Sequence, residues 1–375
     1  MARNATNKLL HNAKKSKSDE FYTQYRDIQK EIEAYLEYNP DVFRSRVVYC
    51  NCDDPFESNF FRYFVLNFKR IGLKQLITTS YKPSPVANTQ LQLFGDDTTL
   101  TKEKGRPKIT ANKFIINEVG DIDCDGEFSL KDVALQLKEN KHNEWTPLDG
   151  DGDFRSEESV SLLKQADIVI TNPPFSLFRE YLKQLVDYDK KFLIIANINA
   201  ITYKEVFPLI KENKIWLGTG MGRWISGFIV PESYELYGTE ARIDEDGKRI
   251  VATNNCLWFT NIDHGKRHQP LPLMTMSDNI KFSSHKEIKG KEYNKYDNYD
   301  AIEVPYTDAI PCDYDGVLGV PITFLDKYNP DQFEIIGASD NGVVDEKYKI
   351  PHFKKHNEPY INGIKTYKRI FIKKR

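Results

Sequence analysis

The chain has 375 residues, 40% of them hydrophobic and 13% aromatic, and 53 Lys and Arg against 55 Asp and Glu give a net charge of -2. That length and apolar content suit one large packed α/β domain, or such a domain with a smaller appendage, and exclude a disordered chain. No run approaches the ~18 consecutive apolar residues of a membrane span, and the basic N-terminus lacks the apolar segment of a secretory signal, so a soluble cytoplasmic protein with no membrane role is expected.

Charge is segregated along the chain. Residues 1–18 carry five Lys or Arg and no acid, residues 361–375 carry six and no acid, and 118–158 is rich in Asp and Glu. Basic ends of this kind either reach a phosphate backbone, with salt-sensitive and sequence-independent affinity, or are solvated tails. Five scattered cysteines without a CxxC pair predict free thiols rather than disulfides or a structural zinc site.

Behind the basic arm of 1–18, Tyr25, Ile28, Ile32, Tyr35 and Leu36 recur at helical spacing. Phe21, Tyr22 and Thr23 stand just ahead of that helix. RVVYCN then reads as a strand ending at the turn-like Asp53-Asp54-Pro55, SNFFRYFVLNFKRIG as a helix stopped by Gly72, and LKQLITTSY as a second strand. Residues 82–148 form a polar insertion with a little structure of its own. The alternation then resumes: SEESVSLLKQ is a predicted helix, ADIVIT a buried strand, SLFREYLKQLVDY a helix, KFLIIANINAI a strand and TYKEVFPLIKENK a helix. IWLGTG, WISGFIVP and NNCLWFTNI, without helices between them, predict an antiparallel edge. The fold expected is α/β, a doubly wound and mostly parallel sheet over 19–263, with 82–148 inserted and a smaller α+β region over 264–375. Within that last region Asn362-Gly363 is a hairpin signal.

The chemistry concentrates where ADIVIT ends, at Asn172-Pro173-Pro174-Phe175. Proline fixes its own φ and biases the residue before it to an extended conformation, so the chain beyond the strand is stiff. Neither proline has an N–H. The turn therefore offers carbonyl acceptors beside the Asn172 amide oxygen, which suits a ligand bearing an NH2 group. Two acceptors that each take one N–H of an aromatic amine can aim its lone pair at an electrophile, a form of preorganised electrostatic catalysis. Phe175 would stack on the ring that carries the amine. Asp53-Asp54, after the first strand, and Asp153-Phe154, in Asp149-Gly150-Asp151-Gly152-Asp153-Phe154, add acids and an aromatic where a cofactor's polar end and its base could sit, although Asp and Gly are also ordinary turn residues.

With these segments in order the sequence resembles the EcoRI-type adenine-N6 DNA methyltransferases, Rossmann-like S-adenosylmethionine-dependent enzymes of type II restriction-modification systems. The likeness runs over nearly the whole chain, through VVYCNCDDP, GDGDFRSEES, DIVITNPPFSLFREYL, GFIVPESYELYGTEARID and GVPITFLDKYNPDQFEII. It implies methyl transfer from S-adenosylmethionine to N6 of an adenine flipped out of duplex DNA. It further implies protection of a GAATTC-like site from a partner restriction endonuclease, by a monomer. On this resemblance Asn172 and the Pro173 carbonyl hold the amine, with Pro174 stiffening the turn and Phe175 on the base. Phe21, Tyr22, Thr23, Asp53 and Asp54 match the cofactor segments, and Asp153 and Phe154 the adenosine contact. The usual glycine-rich cofactor loop is replaced by DDPFESNF, which leaves open whether Asp53 or Asp54 touches the methionine part. Residues 264–375 are implied to recognise the target, with Arg267, Lys281, Lys286 and Lys289 as candidates for DNA contact or for a solvated surface.

Two rival readings share some of these features. A glutamine methyltransferase of the Asn-Pro-Pro-Tyr type would hold a side-chain amide in the same way, and a DNA-binding protein that has lost catalysis would keep the basic ends. Asp121 to Asp132 also matches a calcium loop at positions one, three, five and six, with Asp at twelve where Glu is usual and a strand where the entering helix belongs. A plain acidic turn is the reading preferred. His264/His268 and His352/His356 lie in stretches without helical period, and no metal site is expected from them.

Overall fold

In the computed structural model, which describes residues 22–52, 58–81, 111–139, 142–220, 225–230, 241–245, 247–251, 255–339, 346–350 and 358–375, the apolar runs become the centre of a sheet. The basic arm, Phe21, Asp53, Asp54, His352 and His356 lie outside the described residues. The chain divides into two compact units, Met1–Ile198 with Gly220–Ile262, and Asn199–Thr219 with Asp263–Arg375.

The first unit contains β1 (Tyr22–Thr23), α1 (Tyr25–Tyr38), β2 (Val47–Cys50), α2 (Asn59–Leu66), α3 (Phe68–Ile71), β3 (Gln75–Thr79), β4 (Asn112–Ile116), α4 (Leu130–Glu139) and β5 (Glu144–Pro147). It continues with α5 (Glu157–Gln165), β6 (Ile168–Thr171), α6 (Phe178–Asp187), β7 (Lys191–Asn197), β8 (Phe228–Val230), β9 (Ala241–Ile243), β10 (Arg249–Val251) and β11 (Cys256–Thr260). Its main sheet runs β5–β4–β3–β2–β6–β7–β11. The four central strands β3, β2, β6 and β7 are parallel, and β4, β5 and β11 pair antiparallel at the two sides. Every residue of β2 and β6 is buried, as strands covered on both faces require. From β2 the chain steps first to β3 on one side and later to β6 on the other, so strand order reverses between β2 and β6. Ligands of open α/β sheets bind beyond the strand ends at such a reversal.

Three differences from the sequence reading have physical causes. Some of the expected insertion is built into the sheet: β4 lies antiparallel on β3 and β5 on β4, with alternate residues of β4, Phe114 and Ile116, buried. The run WISGFIVP does not extend this sheet, because β8 joins a separate antiparallel sheet of order β1–β8–β10–β9. The helix expected from Thr202 forms only over Phe207–Lys211 (α7, in the second unit), since Pro208 lacks an N–H and fits only in a first turn.

The core of the first unit is aromatic. Phe60 meets Trp258 edge-on at 6.1 Å and Phe61 meets Phe114 at 5.4 Å, all four rings inaccessible to solvent. Helix α1 buries Ile28, Ile32, Tyr35 and Leu36 as its spacing predicts, and also Asp27. That carboxylate accepts from the Ser226 backbone N–H at 2.8 Å and its hydroxyl at 2.9 Å, fastening the chain just ahead of β8.

The second unit adds α8 (Met276–Phe282), β12 (Ala301–Glu303), β13 (Val317–Val320), β14 (Phe333–Ala338), β15 (Tyr360–Ile361), β16 (Ile364–Lys365) and β17 (Ile370–Lys374). Its sheet runs β12–β13–β17–β14, and β15 pairs with β16 in the hairpin that Asn362-Gly363 predicts. Arg267 is not at the surface: its guanidinium lies 3.6 Å from the centre of the Trp216 ring and hydrogen-bonds Asn213 and Asp263. Lys281, Lys286 and Lys289 are exposed.

Candidate active site

Strand β6 delivers its last residue, Thr171, beside the end of β2, where the Thr171 hydroxyl donates to the Asn51 carbonyl. Asn172, Pro173 and Pro174 follow, all buried, with Pro174 extended at φ -59° and ψ 121°. The Pro174 carbonyl is engaged, accepting from the Leu177 N–H at 3.0 Å as the chain enters a short 3-10 turn ahead of α6. Among the described residues no hydrogen bond reaches the Pro173 carbonyl. Of the two proline carbonyls, Pro173 is therefore the one available to a ligand's N–H, beside the Asn172 side chain.

Phe175 is half-buried, and its ring meets Phe228 of β8 at 6.1 Å with planes at 67°. Phe228 stands opposite Thr23 in the β1–β8 register, so both point to the face of the small sheet that carries Phe175. Thr23 is 1% exposed, and its Oγ1 has no hydrogen-bond partner among the described residues, while its carbonyl accepts from Asn59 Nδ2 at 2.8 Å. The other face of that sheet, with Ile229 and Ile250, lines an open cavity of about 830 Å³ rimmed by Arg26, Arg62, Arg242 and Lys248. None of the Asn-Pro-Pro-Phe residues borders it.

The Gly-Asp-Gly-Asp-Phe loop reaches the end of β3. Gly152 has φ +80°, and a Cβ there would sit 1.9 Å from the Ser80 carbonyl oxygen, so only glycine allows the approach. Both Asp153 oxygens face the Arg155 guanidinium, Oδ1 at 2.9 Å from Nε and Oδ2 at 2.6 Å from Nη2. Phe154 is buried, edge-on to Tyr181 at 5.0 Å, and its carbonyl accepts from Gln184 at 3.1 Å. At the end of β2, Cys52 takes φ +64°, a left-handed turn rare for a side-chain-bearing residue, immediately before Asp53.

Tyr181, which sequence reasoning did not single out within its helix, joins two of these segments. It is fully buried, touches Phe154, and donates its hydroxyl to Asn51 Oδ1. Burial pushes its pKa well above that of a free tyrosine, so it stays a protonated donor. The signal was present in the sequence: a lone tyrosine in an aliphatic helical stripe brings a hydroxyl that needs a partner. Tyr181 thus links Asn51, just after β2, to Phe154 of the Gly-Asp-Gly-Asp-Phe loop, while Thr171 ties the end of β6 to the same Asn51 and Gly152 brings the loop to the end of β3.

Elsewhere, Asp121, Asp123 and Asp132 lie with ligand atoms within 4.8 Å of one another. Asp132 is occupied as a turn-former, accepting from the N–H groups of Ile122 at 2.7 Å and Ser129 at 2.8 Å. Burial opposes its charge, but these donors prevail and hold its carboxyl down at about 2. Lys131 pairs with Asp123 at 2.6 Å. His264 is buried against the Leu217 carbonyl at 3.0 Å, while His268 turns to Asp263.

The chain matches, over residues 9–375, the family described as Adenine-specific methyltransferase EcoRI. It is 52% identical over 377 aligned residues to the type II methyltransferase M.EcoRI of Escherichia coli, covering 100% of this chain and 98% of that protein. It is 33% identical to the type II methyltransferase M.MpnI of Mycoplasma pneumoniae, over 98% of both chains. It is 34% identical to the type II methyltransferase M.MgeORF184P of Mycoplasma genitalium, over 97% of this chain and 98% of that one. No solved structure matches it. Identity of this extent over full length, with the Asn-Pro-Pro-Phe turn at the strand reversal, places the chain in the EcoRI family of adenine-specific methyltransferases.

Proposed function

We propose that the protein is a site-specific DNA methyltransferase that moves a methyl group from S-adenosylmethionine to N6 of an adenine in duplex DNA. The observation that carries this reading is a Pro173 carbonyl that no hydrogen bond claims among the described residues, next to Asn172 at the reversal between β2 and β6. Adenine N6 is a poor nucleophile because its lone pair is shared with the ring. Asn172 and the Pro173 carbonyl each accept one of its hydrogens and turn the lone pair out of the ring plane, a stabilisation organised before the reaction. Phe175, braced by Phe228, offers its face to the base. Because the amine of a paired adenine is engaged in the duplex, the base must be extruded to reach this turn.

The residues present fit the methyl donor. The sheet is read as a Rossmann-like, doubly wound core, in which the ends of β2 and β3 hold a nucleoside. The buried Oγ1 of Thr23, without a partner among the described residues, can receive a ligand's polar group, and the glycine-only contact of Gly152 with Ser80 brings backbone close to where a nucleoside would lie. Tyr22, Phe21 and one of Asp53 and Asp54 complete the cofactor segments, with Asp153 and Phe154 toward the adenosine. When bound, S-adenosylmethionine would supply an electrophilic sulfonium methyl to the N6 held by Asn172 and the Pro173 carbonyl, leaving as a neutral thioether, with one N6 proton passing to solvent.

By this reading the first unit is the catalytic domain and residues 264–375 recognise the target, with the arm of 1–18 on the phosphate backbone. Residues 199–219, grouped with the second unit, would extend that recognition region. The target is a GAATTC-like site, the acting form a monomer, the setting the cytoplasm, and the partner a restriction endonuclease of the same specificity. The test is to incubate the protein with tritiated S-adenosylmethionine and either duplex DNA or a release-factor peptide. Label is expected on DNA alone, in N6-methyladenine, with GAATTC sites becoming resistant to cleavage. Label on the peptide, or on neither acceptor, would defeat the proposal.

A further inference from the structure

The open cavity on the far face of the small sheet is edged by charge, and two of its cations converge on one residue. Arg26 donates from Nε to the Ser226 hydroxyl at 3.2 Å, and Arg242 donates from Nη2 to the Ser226 carbonyl at 3.2 Å. Ser226 is itself fixed. Its N–H and hydroxyl donate to Asp27, and its hydroxyl also accepts from Gln24 Nε2 at 2.7 Å. Arg26 is the second residue of α1 and Arg242 the middle residue of β9, paired with Ile250, so both side chains start from regular elements of the first unit.

A guanidinium has five N–H donors, and each of these spends only one on Ser226. Neither makes another hydrogen bond or an ion pair among the described residues, and both residues are exposed. The buried Asp27 carboxylate on Ser226 offsets one positive charge of the pair, not both. Of the two acids at the rim, Asp244 is a turn-former that accepts from the Lys248 N–H at 2.8 Å, and Glu245 is exposed. Two anchored forks with open N–H edges match the oxygens of phosphate groups, and an anion there relieves the repulsion between them. The same sheet carries Phe228 against Phe175 on its other face, so a phosphate contact here is held in register with the Asn-Pro-Pro-Phe turn through adjacent strand residues. Contacts of this kind orient a duplex without reading its sequence.

We propose that Arg26 and Arg242 form a clamp for the phosphates of duplex DNA at the rim of this cavity, fixing how the duplex sits on the catalytic domain. The inference rests on the DNA reading above and deepens it by naming two residues that hold the backbone. The full chain carrying Arg26→Gln and Arg242→Gln together is compared with wild type by titrating a GAATTC duplex and a scrambled duplex of equal length at several salt concentrations. With two phosphate contacts gone, the slope of log affinity against log salt is expected to shrink by ~1.8, at ~0.9 per phosphate, and both duplexes are expected to weaken by the same factor. Glu245→Gln removes a rim acid and is expected to tighten both duplexes, which a folding defect could not do. An unchanged slope in the double variant would overturn the clamp, as would a loss confined to the GAATTC duplex. Loss of ATP binding with an unchanged DNA slope would overturn it too, by assigning the cavity to a small nucleotide. A wild-type protein that shows the arginine-dependent slope and transfers no methyl would instead overturn the methyltransferase reading and leave the clamp standing, whereas methyl transfer with an unchanged slope would defeat the clamp alone.

Discussion

The hydroxyl of Tyr181 donates to Oδ1 of Asn51, so the helix that follows the Asn-Pro-Pro-Phe turn is tied to the residue just after β2. Both partners are buried, and removing one strands the other. Tyr181→Phe keeps the ring against Phe154 and leaves a buried amide oxygen unsatisfied, at a cost of about 1–3 kcal/mol. Urea melts of the two proteins should show that loss at an unchanged slope; an unchanged midpoint would mean that the bond contributes nothing.

Asn172→Ala removes one of the two acceptors assigned to the amine without touching the strand that carries it. Methyl transfer is expected to fall by ~10²-fold or more, the usual cost of losing one preorganised polar contact, with DNA affinity retained. Single-turnover methylation and a gel-shift titration measure the two separately. Comparable losses in both would recast Asn172 as a binding or structural residue.

Gly152 is a test of backbone approach rather than of chemistry. At φ +80° with a Cβ position 1.9 Å from the Ser80 oxygen, Gly152→Ala cannot be accommodated without moving the loop off β3. Left-handed strain alone costs on the order of 1–3 kcal/mol. Calorimetric titration of S-adenosylmethionine should show weakened binding together with a lower thermal midpoint, and an effect on neither would disconnect this loop from the cofactor.

The regions of this molecule that were legible in the sequence are those set by local pattern. The buried run of β6, the apolar stripe Ile28, Ile32, Tyr35 and Leu36, the Gly72 helix stop at φ +67° and the Asn362-Gly363 hairpin each follow from a few consecutive residues. What was hidden depends on pairing at long range. Nothing local tells β4 to lie on β3, or sends β8 to pair with the distant Tyr22-Thr23. Arg267 reads as a surface cation until Trp216 and Asn213 are brought to it. In the site, the Asn-Pro-Pro-Phe turn announced itself through the rigidity of proline, whereas Tyr181 and Phe228 take their meaning from contacts with Asn51, Phe154 and Phe175, residues distant in the chain.

His264 links stability to pH in a direction that can be worked out. Burial lowers its pKa from 6.5 to about 4, against the opposing effect of its hydrogen bond to the Leu217 carbonyl. The unfolded chain therefore binds a proton at this position between those two values while the folded chain does not, and stability rises with pH across that interval. The contribution is complete above about 6.5 and is lost as pH falls toward about 4. Carboxylates that titrate in the same range obscure this in the wild type alone, so the comparison is with His264→Gln, whose side chain does not titrate. The stability difference between the two proteins, followed by urea melts from neutral pH down to the folded-state pKa of about 4, is expected to shift steadily against the wild type as pH falls. A difference independent of pH would mean that His264 takes up its proton alike in the folded and the unfolded chain, the Leu217 carbonyl offsetting its burial.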